Sequence, residues 1–478
     1  MDYAKLGLLA GLEIHQQLDT NKLFCNCPSY LRKDSPHFEI RRKLHKVAGE
    51  TGEIDSAVLY EASLGKQFIY QGYQDTTCLV ELDEEPPKTI NQDALEEAIK
   101  IALLLNCEIY PVAQIMRKTV IDGSNTSGFQ RTVLIAHDGF IETSAGKITI
   151  ETFALEEDSA RIITKEKNFS VYRLDRLGIP LVEISTAPTM NTAEQVKEAA
   201  LKLGEILRAC KVKRGIGTIR QDVNVNIKGH EKTEIKGFQE PSMMIKTIDL
   251  EIQRQLENIK NKKTTGEVRN ALPDGKTEFL RPLPGKARMY PETDLPLLKI
   301  SREQINRIKK ILPKVKSEIK DELKKKGLSD ELINLVLENN NLEEFNVLTQ
   351  VNKDANLVAK MITLWRNELA TKLSLPMEKI KEKLTERVLE QILESLVEKK
   401  IESNDIKPIM EKLACGEKFD QAIKIEKISH NELEEEISKI IKLKPGLRPN
   451  AYMGLIMKKF KGKLDAKKAM EILQRIVK

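Results

Sequence analysis

Alternation is the pattern that most constrains this chain. In IRQDVNVNI, Ile219, Val223, Val225 and Ile227 share one face of an extended strand, with Gln221 the exception. Arg220, Asp222, Asn224 and Asn226 share the other. Successive side chains of a strand point to opposite faces, so residues two apart lie together. The same rule sorts GLEIHQQL into Leu12 and Ile14 against Glu13, His15 and Gln17. In PLVEIST, Glu183 opposes Val182 and Ile184, and in KTEIKG, Glu234 and Lys236 turn away from Ile235. Several short strands, each with one apolar and one polar face, require a sheet covered on one side only.

A solvated sheet face shows the same alternation. What separates these strands from an ordinary wet face is residue type: Glu, Asp, Asn, His and single Arg or Lys residues rather than a Lys, Thr and Ser mix. A further feature is ETFALEEDSARII, where Phe153, Ala154 and Leu155 run directly into Glu156, Glu157 and Asp158. Such a triplet is either an exposed acidic turn or part of a cation site. Converging carboxylates need a cation to offset their repulsion, and oxygen ligands suit Mg²⁺. Mg²⁺ beside Arg and Lys is the equipment of phosphoryl transfer. The common nucleotide motifs are absent. DGKT at Asp274–Thr277 lacks the upstream glycine of a P-loop, and GIG at Gly215–Gly217 is too short to count as a dinucleotide fingerprint.

The pattern changes near residue 300. Beyond Ser301, segments such as REQINRIKKIL and ERVLEQILESLVEKK carry apolar residues at helical spacing. The expected fold is α+β. A mixed or antiparallel β-rich cradle domain (1–300) precedes a helical domain (301–404) and a small helical tail domain (405–478). From Ile441 to Lys478 there are eleven Lys and Arg against two acids, a local charge of +9, while the whole chain carries +6. A basic tail suits a polyanion such as RNA, or is a solvated lysine-rich surface. No apolar run approaches the ~20 residues of a membrane span, and the N-terminus lacks the basic region of a signal peptide. Six cysteines in 478 residues are too few for a disulfide framework, which points to the cytoplasm. Cys25, Cys27 and Cys78 can bind Zn²⁺ if a fourth ligand such as Glu81 joins, or are small, partly buried thiols. Cys107, Cys210 and Cys415 are isolated and expected in the core.

GLEIHQQLDTNKLFCNCPS, ALEEDSAR, PLVEIST, TIRQDVNVNIKG, TEIKG and LRPLPGKARMYPETDLP closely resemble the B/E family of tRNA-dependent amidotransferases, in family order. QGYQDTTCLVELDEEPP and SNTSGFQRTVLIAHDGFIETSAGKITIET resemble its archaeal E type rather than the B type, which also accepts Asp-tRNA(Asn). GLIMKKFKGKLDAKKAMEIL is similar to the family's tail domain. The resemblance implies a two-step reaction. ATP phosphorylates the γ-carboxylate of glutamate on misacylated Glu-tRNA(Gln), and channelled ammonia displaces phosphate to give Gln-tRNA(Gln). It implies an asparaginase-like D subunit as partner, in a heterotetramer of two D and two E subunits. It also implies that Glu13, His15, Glu156, Glu157, Glu183 and Glu234 hold Mg²⁺, with Glu157, Glu183 and Glu234 catalytic. Arg220, Lys236 and Arg288 are the candidates to hold ATP phosphates or the substrate carboxylate. Asp222 and Asn224 brace the site, and Asp158 is structural. One departure stands out: E-type chains carry an inserted domain before the segment matching EVRNALPDGKTEFLRPLPG, and here QLENIKNKKTTG closes that gap directly. The rival reading is a non-catalytic subunit that only presents tRNA, but an acidic cluster serves no purpose beside RNA phosphates.

Overall fold

The computed structural model describes the chain except residues 47, 49–51, 55, 239–240, 284–288, 340, 425–429, 446–448, 460–465 and 477–478. These residues form two compact units, Met1–Lys316 and Ser317–Lys478. An eleven-stranded sheet dominates the first. Its main strands are β1 (Leu9–Gln17), β2 (Ile115–Thr119), β3 (Phe129–Thr143), β4 (Gly146–Glu157), β5 (Pro180–Thr186), β6 (Ile219–Asn226), β7 (Thr233–Phe238), β8 (Glu267–Ala271), β9 (Thr277–Pro282) and β10 (Met289–Pro291). They lie in the order β9-β8-β7-β6-β1-β5-β4-β3-β2-β10, with Glu108–Ile109 added against β3. All these pairs are antiparallel except β7 with β8. A separate four-stranded sheet joins Phe38–Arg42, Gln67–Gly72, Phe169–Arg173 and Arg161–Lys165.

The predicted alternation sets the layers. Leu12, Ile14, Val182, Ile184, Val223, Val225 and Ile235 are all buried in one apolar cluster. Three helices close over it: α1 (Gln92–Leu104), α2 (Ala193–Ala209) and α3 (Met244–Lys260). Helix α2 buries Val196, Ala199, Ala200, Leu203 and Leu207, the i, i+3, i+4, i+7 stripe of a one-sided helix. Its start is fixed by a reciprocal cap: Gln195 N donates to Thr192 Oγ1 and Thr192 N donates to Gln195 Oε1, both at 3.2 Å. The opposite face of the sheet keeps its polar residues, so the fold is the expected α+β arrangement with its polar strand face left for a site.

The second unit is helical in its described residues, with apolar clusters around Leu323–Ala422 and Leu433–Leu473. Within it, Arg366 is fully buried and makes a two-pronged pair with Glu344, at 2.7 and 2.6 Å. Burying a guanidinium is tolerable only with such a partner. Cys107 and Cys210 are buried as expected, but Cys415 is exposed. It caps the C-terminus of helix Ile406–Ala414, one residue past the buried stripe. Among the described residues no helix is long and apolar enough to cross a membrane.

Gly139 marks where β3 passes closest to the chain after α1. A Cβ there would overlap Cys107 Sγ and stand 2.6 Å from the carbonyl oxygen of Leu105. A backbone oxygen cannot rotate aside. Gly139→Ala should therefore lower stability by about 1–3 kcal/mol, measured by urea unfolding. An unchanged midpoint would show that the hairpin can shift there.

Candidate functional site

The polar face of the sheet floors a cavity of about 1110 Å³ within the first unit. Strand register builds the floor. On β1, His15 lies between Glu183 of β5 and Arg220 of β6, and Glu13 lies between Ser185 and Asp222. His15 Nε2 is 3.3 Å from Glu183 Oε2, 3.5 Å from Glu13 Oε1 and 3.9 Å from Glu156 Oε1. Lys118, on β2, reaches across with Nζ 2.8 Å from Glu156 Oε2 and 3.3 Å from Glu183 Oε2. Potential ligand atoms of His15, Glu156 and Glu183 lie within 4.8 Å of one another, as do those of Glu13, His15 and Asp222.

Electrostatics follow from this crowding. Burial raises the Glu13 carboxyl above its ordinary value, and the Glu183 charge adds to it. Burial also opposes ionisation of Glu183, but Lys118 and His15 outweigh it and hold the carboxyl well below the usual range. For His15, burial favours the neutral ring, yet Glu183, Glu13 and Glu156 overcome it and push the imidazole up to about 9. His15 Nδ1 is buried without a hydrogen-bond partner among the described residues.

The remaining predicted residues separate into three groups. Glu234 and Lys236 line the same cavity, with Lys236 Nζ 2.5 Å from Glu234 Oε1 and 2.6 Å from Asp222 Oδ2. Arg220 also lines it and donates to Asp158, whose carboxylate is fully buried. Arg288 lies outside the described residues. Glu157 is not brought to the floor. It follows Glu156 on an extended strand, so its carboxylate turns to the other side. There Arg131 N donates to it at 3.2 Å and Arg131 Nη1 lies 3.4 Å away. Burial above all raises its pKa, against the pull of Arg131. Sequence reasoning passed over Lys118 and Arg176, both of which line the cavity. Lys118 was findable by alternation, because Arg117 beside it must face the other way; Arg176 sits in a loop where no period applies.

A second cluster joins Cys25, Cys27, Cys78 and Glu81, whose potential ligand atoms lie within 4.8 Å of one another. Cys25 Sγ is 3.0 Å from Glu81 Oε1, and Cys78 N donates to Glu81 Oε2 at 2.8 Å. Lys22, fully buried, places Nζ 2.9 Å from Glu81 Oε1. Hydrogen bonds with Cys25 and Cys27 lower the pKa of Cys78.

The raised His15 pKa sets a pH dependence. A protonated His15 is favoured in the folded state, so its contribution to stability is complete below the unfolded value near ~6.5. It is lost as pH rises through about 9. The thermal unfolding midpoint of the ligand-free protein should therefore fall as pH rises across that window, and His15→Gln should flatten this part of the profile. Identical profiles for the two proteins would contradict the assignment.

Residues 8–306 match the model of the GatB/GatE catalytic domain. A Methanocaldococcus jannaschii protein, named as the E subunit of glutamyl-tRNA(Gln) amidotransferase, is 57% identical over 262 residues, covering 54% of this chain and 42% of that relative. A Methanococcus maripaludis protein of the same name is 46% identical over 313 residues, covering 65% of this chain and 48% of the relative. The chain thus aligns with less than half the length of these two relatives. A Pyrobaculum islandicum protein, also so named, is 33% identical over 618 positions, covering 100% of both chains. Those 618 positions against 478 residues leave at least 140 of the relative's positions without a counterpart in this chain. With the catalytic-domain model matched over more than half its length, the chain belongs to the GatB/GatE family.

Proposed function

We propose that this chain converts Glu-tRNA(Gln) to Gln-tRNA(Gln) in two steps at the cavity floor. In the first, a γ-carboxylate oxygen of the esterified glutamate attacks the γ-phosphorus of ATP, and ADP leaves. In the second, ammonia attacks the resulting acyl phosphate and inorganic phosphate leaves. The observation that carries this reading is the meeting of Glu13, His15, Glu156 and Glu183 from three strands in one cavity beside Lys118. The names of the relatives support the substrate. Ammonia would come from an asparaginase-like D subunit, in a heterotetramer of two D and two E subunits.

The donor set fits Mg²⁺: carboxylate oxygens in excess and one imidazole whose Nε2 faces them. His15, Glu156 and Glu183 would hold the ion, with Glu13 and Asp222 adjoining. Bound there, Mg²⁺ offsets the repulsion between a carboxylate and a polyphosphate. Lys118 holds Glu156 and Glu183 in place and keeps Glu183 ionised. Glu234 and Asp222 anchor Lys236 at the cavity wall. Glu157, paired with Arg131 on the reverse side of the sheet, is not one of the proposed ligands.

The thiol cluster fits Zn²⁺. Three sulfurs and one carboxylate gather at tetrahedral scale. The buried Lys22 ammonium offsets part of the negative charge that such a complex would carry. Its part would be to tie the Cys25–Cys27 loop to the Cys78–Glu81 turn.

Glu183→Gln keeps shape and removes charge. Gln-tRNA formation by the complex should fall by at least about 10²-fold, with Glu-tRNA(Gln) affinity retained. Undiminished amidation would refute the floor as the reaction centre.

The basic tail is proposed to bind tRNA. Neutralising RNA phosphates with Lys and Arg releases counterions, so affinity falls steeply with salt. Truncation before His430, which keeps the Leu323–Ala422 cluster whole, should weaken Glu-tRNA(Gln) binding and reduce its salt dependence, while ATP still binds. Equal affinity and equal salt slope would make the tail a solubilising cap.

A further inference from the structure

We infer that the cavity wall carrying Glu61 and Asp122 is the subsite for the α-ammonium group of the esterified glutamate; this rests on the Glu-tRNA(Gln) reading above. Both residues line the cavity, Glu61 from helix Ser56–Ser63 and Asp122 from the loop between β2 and β3. The loop is held from several sides. Asp122 Oδ1 accepts from Ser124 N at 2.9 Å and from Ser124 Oγ at 2.6 Å. Tyr172 Oη donates to the Asp122 carbonyl oxygen at 2.9 Å, and Ala160 N donates to that of Ser124 at 2.8 Å. Gly123, at φ +92°, lies so close to Phe68 that a Cβ there would overlap the ring. The Asp122 side chain is therefore presented on a fixed support.

Charge decides what this wall accepts. The floor acids have cations beside them: Glu156 and Glu183 share Lys118, Asp222 and Glu234 share Lys236, and Asp158 faces Arg176 and Arg220. The wall differs. No ammonium, guanidinium or imidazole of the described residues lies within 4.0 Å of the Glu61 or Asp122 carboxylate. Burial and then the Asp122 charge raise the Glu61 pKa, and the more distant Arg281, Lys165 and Lys66 only partly offset this. A second observation is independent of charge. Thr119 and Asn125, 3% and 2% exposed, line the same cavity, and Thr119 Oγ1 and Asn125 Oδ1 have no hydrogen-bond partner among the described residues. Unpaired buried oxygens call for a donor. An ammonium group brings three N–H donors together with the missing positive charge. Among the reactants, ATP, the RNA phosphates and the γ-carboxylate are anions, and ammonia attacks as a neutral molecule. Mg²⁺ has the richer donor set around His15. Esterification removes the charge of the α-carboxylate, so the α-ammonium is the one cation of the glutamyl group. Holding it at the wall leaves the γ-carboxylate free to reach the floor. Glu61 and Asp122 are thus specificity-determining residues for an aminoacyl ester with a free amine.

The test gives two substrates to the wild-type complex, to Asp122→Asn and to Glu61→Gln. One is Glu-tRNA(Gln). The other is the same tRNA esterified with glutaric acid, which keeps the distal carboxylate, lacks the α-ammonium and adds no bulk. Asp122→Asn keeps an oxygen for Ser124, and Glu61→Gln changes a single helix side chain, so the two variants check each other. Wild type should prefer Glu-tRNA in kcat/KM by about tenfold or more, and each variant should raise KM for Glu-tRNA by about tenfold while leaving glutaryl-tRNA within about twofold, the usual scale of a charge-assisted contact. Equal wild-type use of both substrates would overturn the subsite, as would an equal loss on both in the variants. So would a higher requirement for Mg²⁺ or ammonium chloride with discrimination unchanged, which would give the acids to the metal or to the nucleophile. Failure of the wild-type complex to form Gln-tRNA from Glu-tRNA(Gln), ATP and ammonia would instead bring down the proposed reaction, and the subsite with it.

Discussion

Three carboxylates and an imidazole meet at the floor of the first unit, and only positive charge makes their proximity tolerable. Glu183 is the centre of this balance. It touches both His15 and Lys118, and they hold it ionised against burial. Glu13 has less compensation and is driven toward its neutral form. The cost of assembling like charges inside a cavity is borne by the apolar layer behind them. Leu12, Ile14, Val182, Ile184 and Val223 on the reverse of the same strands are buried under α2 and α3.

That back-to-back arrangement explains why the site sits on strands rather than on loops. Strand register fixes His15 against Glu183 and Arg220, and Glu13 against Asp222, without any flexible segment between them. A site held this way keeps its geometry while ligands of opposite charge arrive. The floor is bipolar. Acids gather around His15, and the Arg176, Asp158 and Arg220 group adjoins them. A metal–polyphosphate ligand needs both kinds of surface side by side.

The strand faces were legible because alternation is a local property: Glu13 and His15, Glu183, and Asp222 fall where the sequence pattern puts them. The acidic triplet was legible only in part. Adjacent residues on a strand point to opposite sides, so Glu156 and Glu157 are neighbours in sequence and separated by the sheet. The same rule that located Glu13 separates them once β4 is seen to extend through Glu157. Lys118 and Arg176 carry no motif of their own and reach the cavity through tertiary placement. The four-residue thiol cluster joins segments some fifty residues apart, so spacing alone left its fourth member open. Cys415 was misjudged because hydrophobic character was read without its place on the helix, one residue beyond the buried turn.

The central claim is that the floor of the cavity binds a divalent cation through His15, Glu156 and Glu183. Anomalous diffraction from crystals grown with Mn²⁺ in place of Mg²⁺ tests it most directly. The account predicts a peak among those three side chains, with oxygen ligands at about 2.1–2.2 Å. An ordered Mn²⁺ peak elsewhere, with those side chains still paired only to Lys118 and one another, would contradict it.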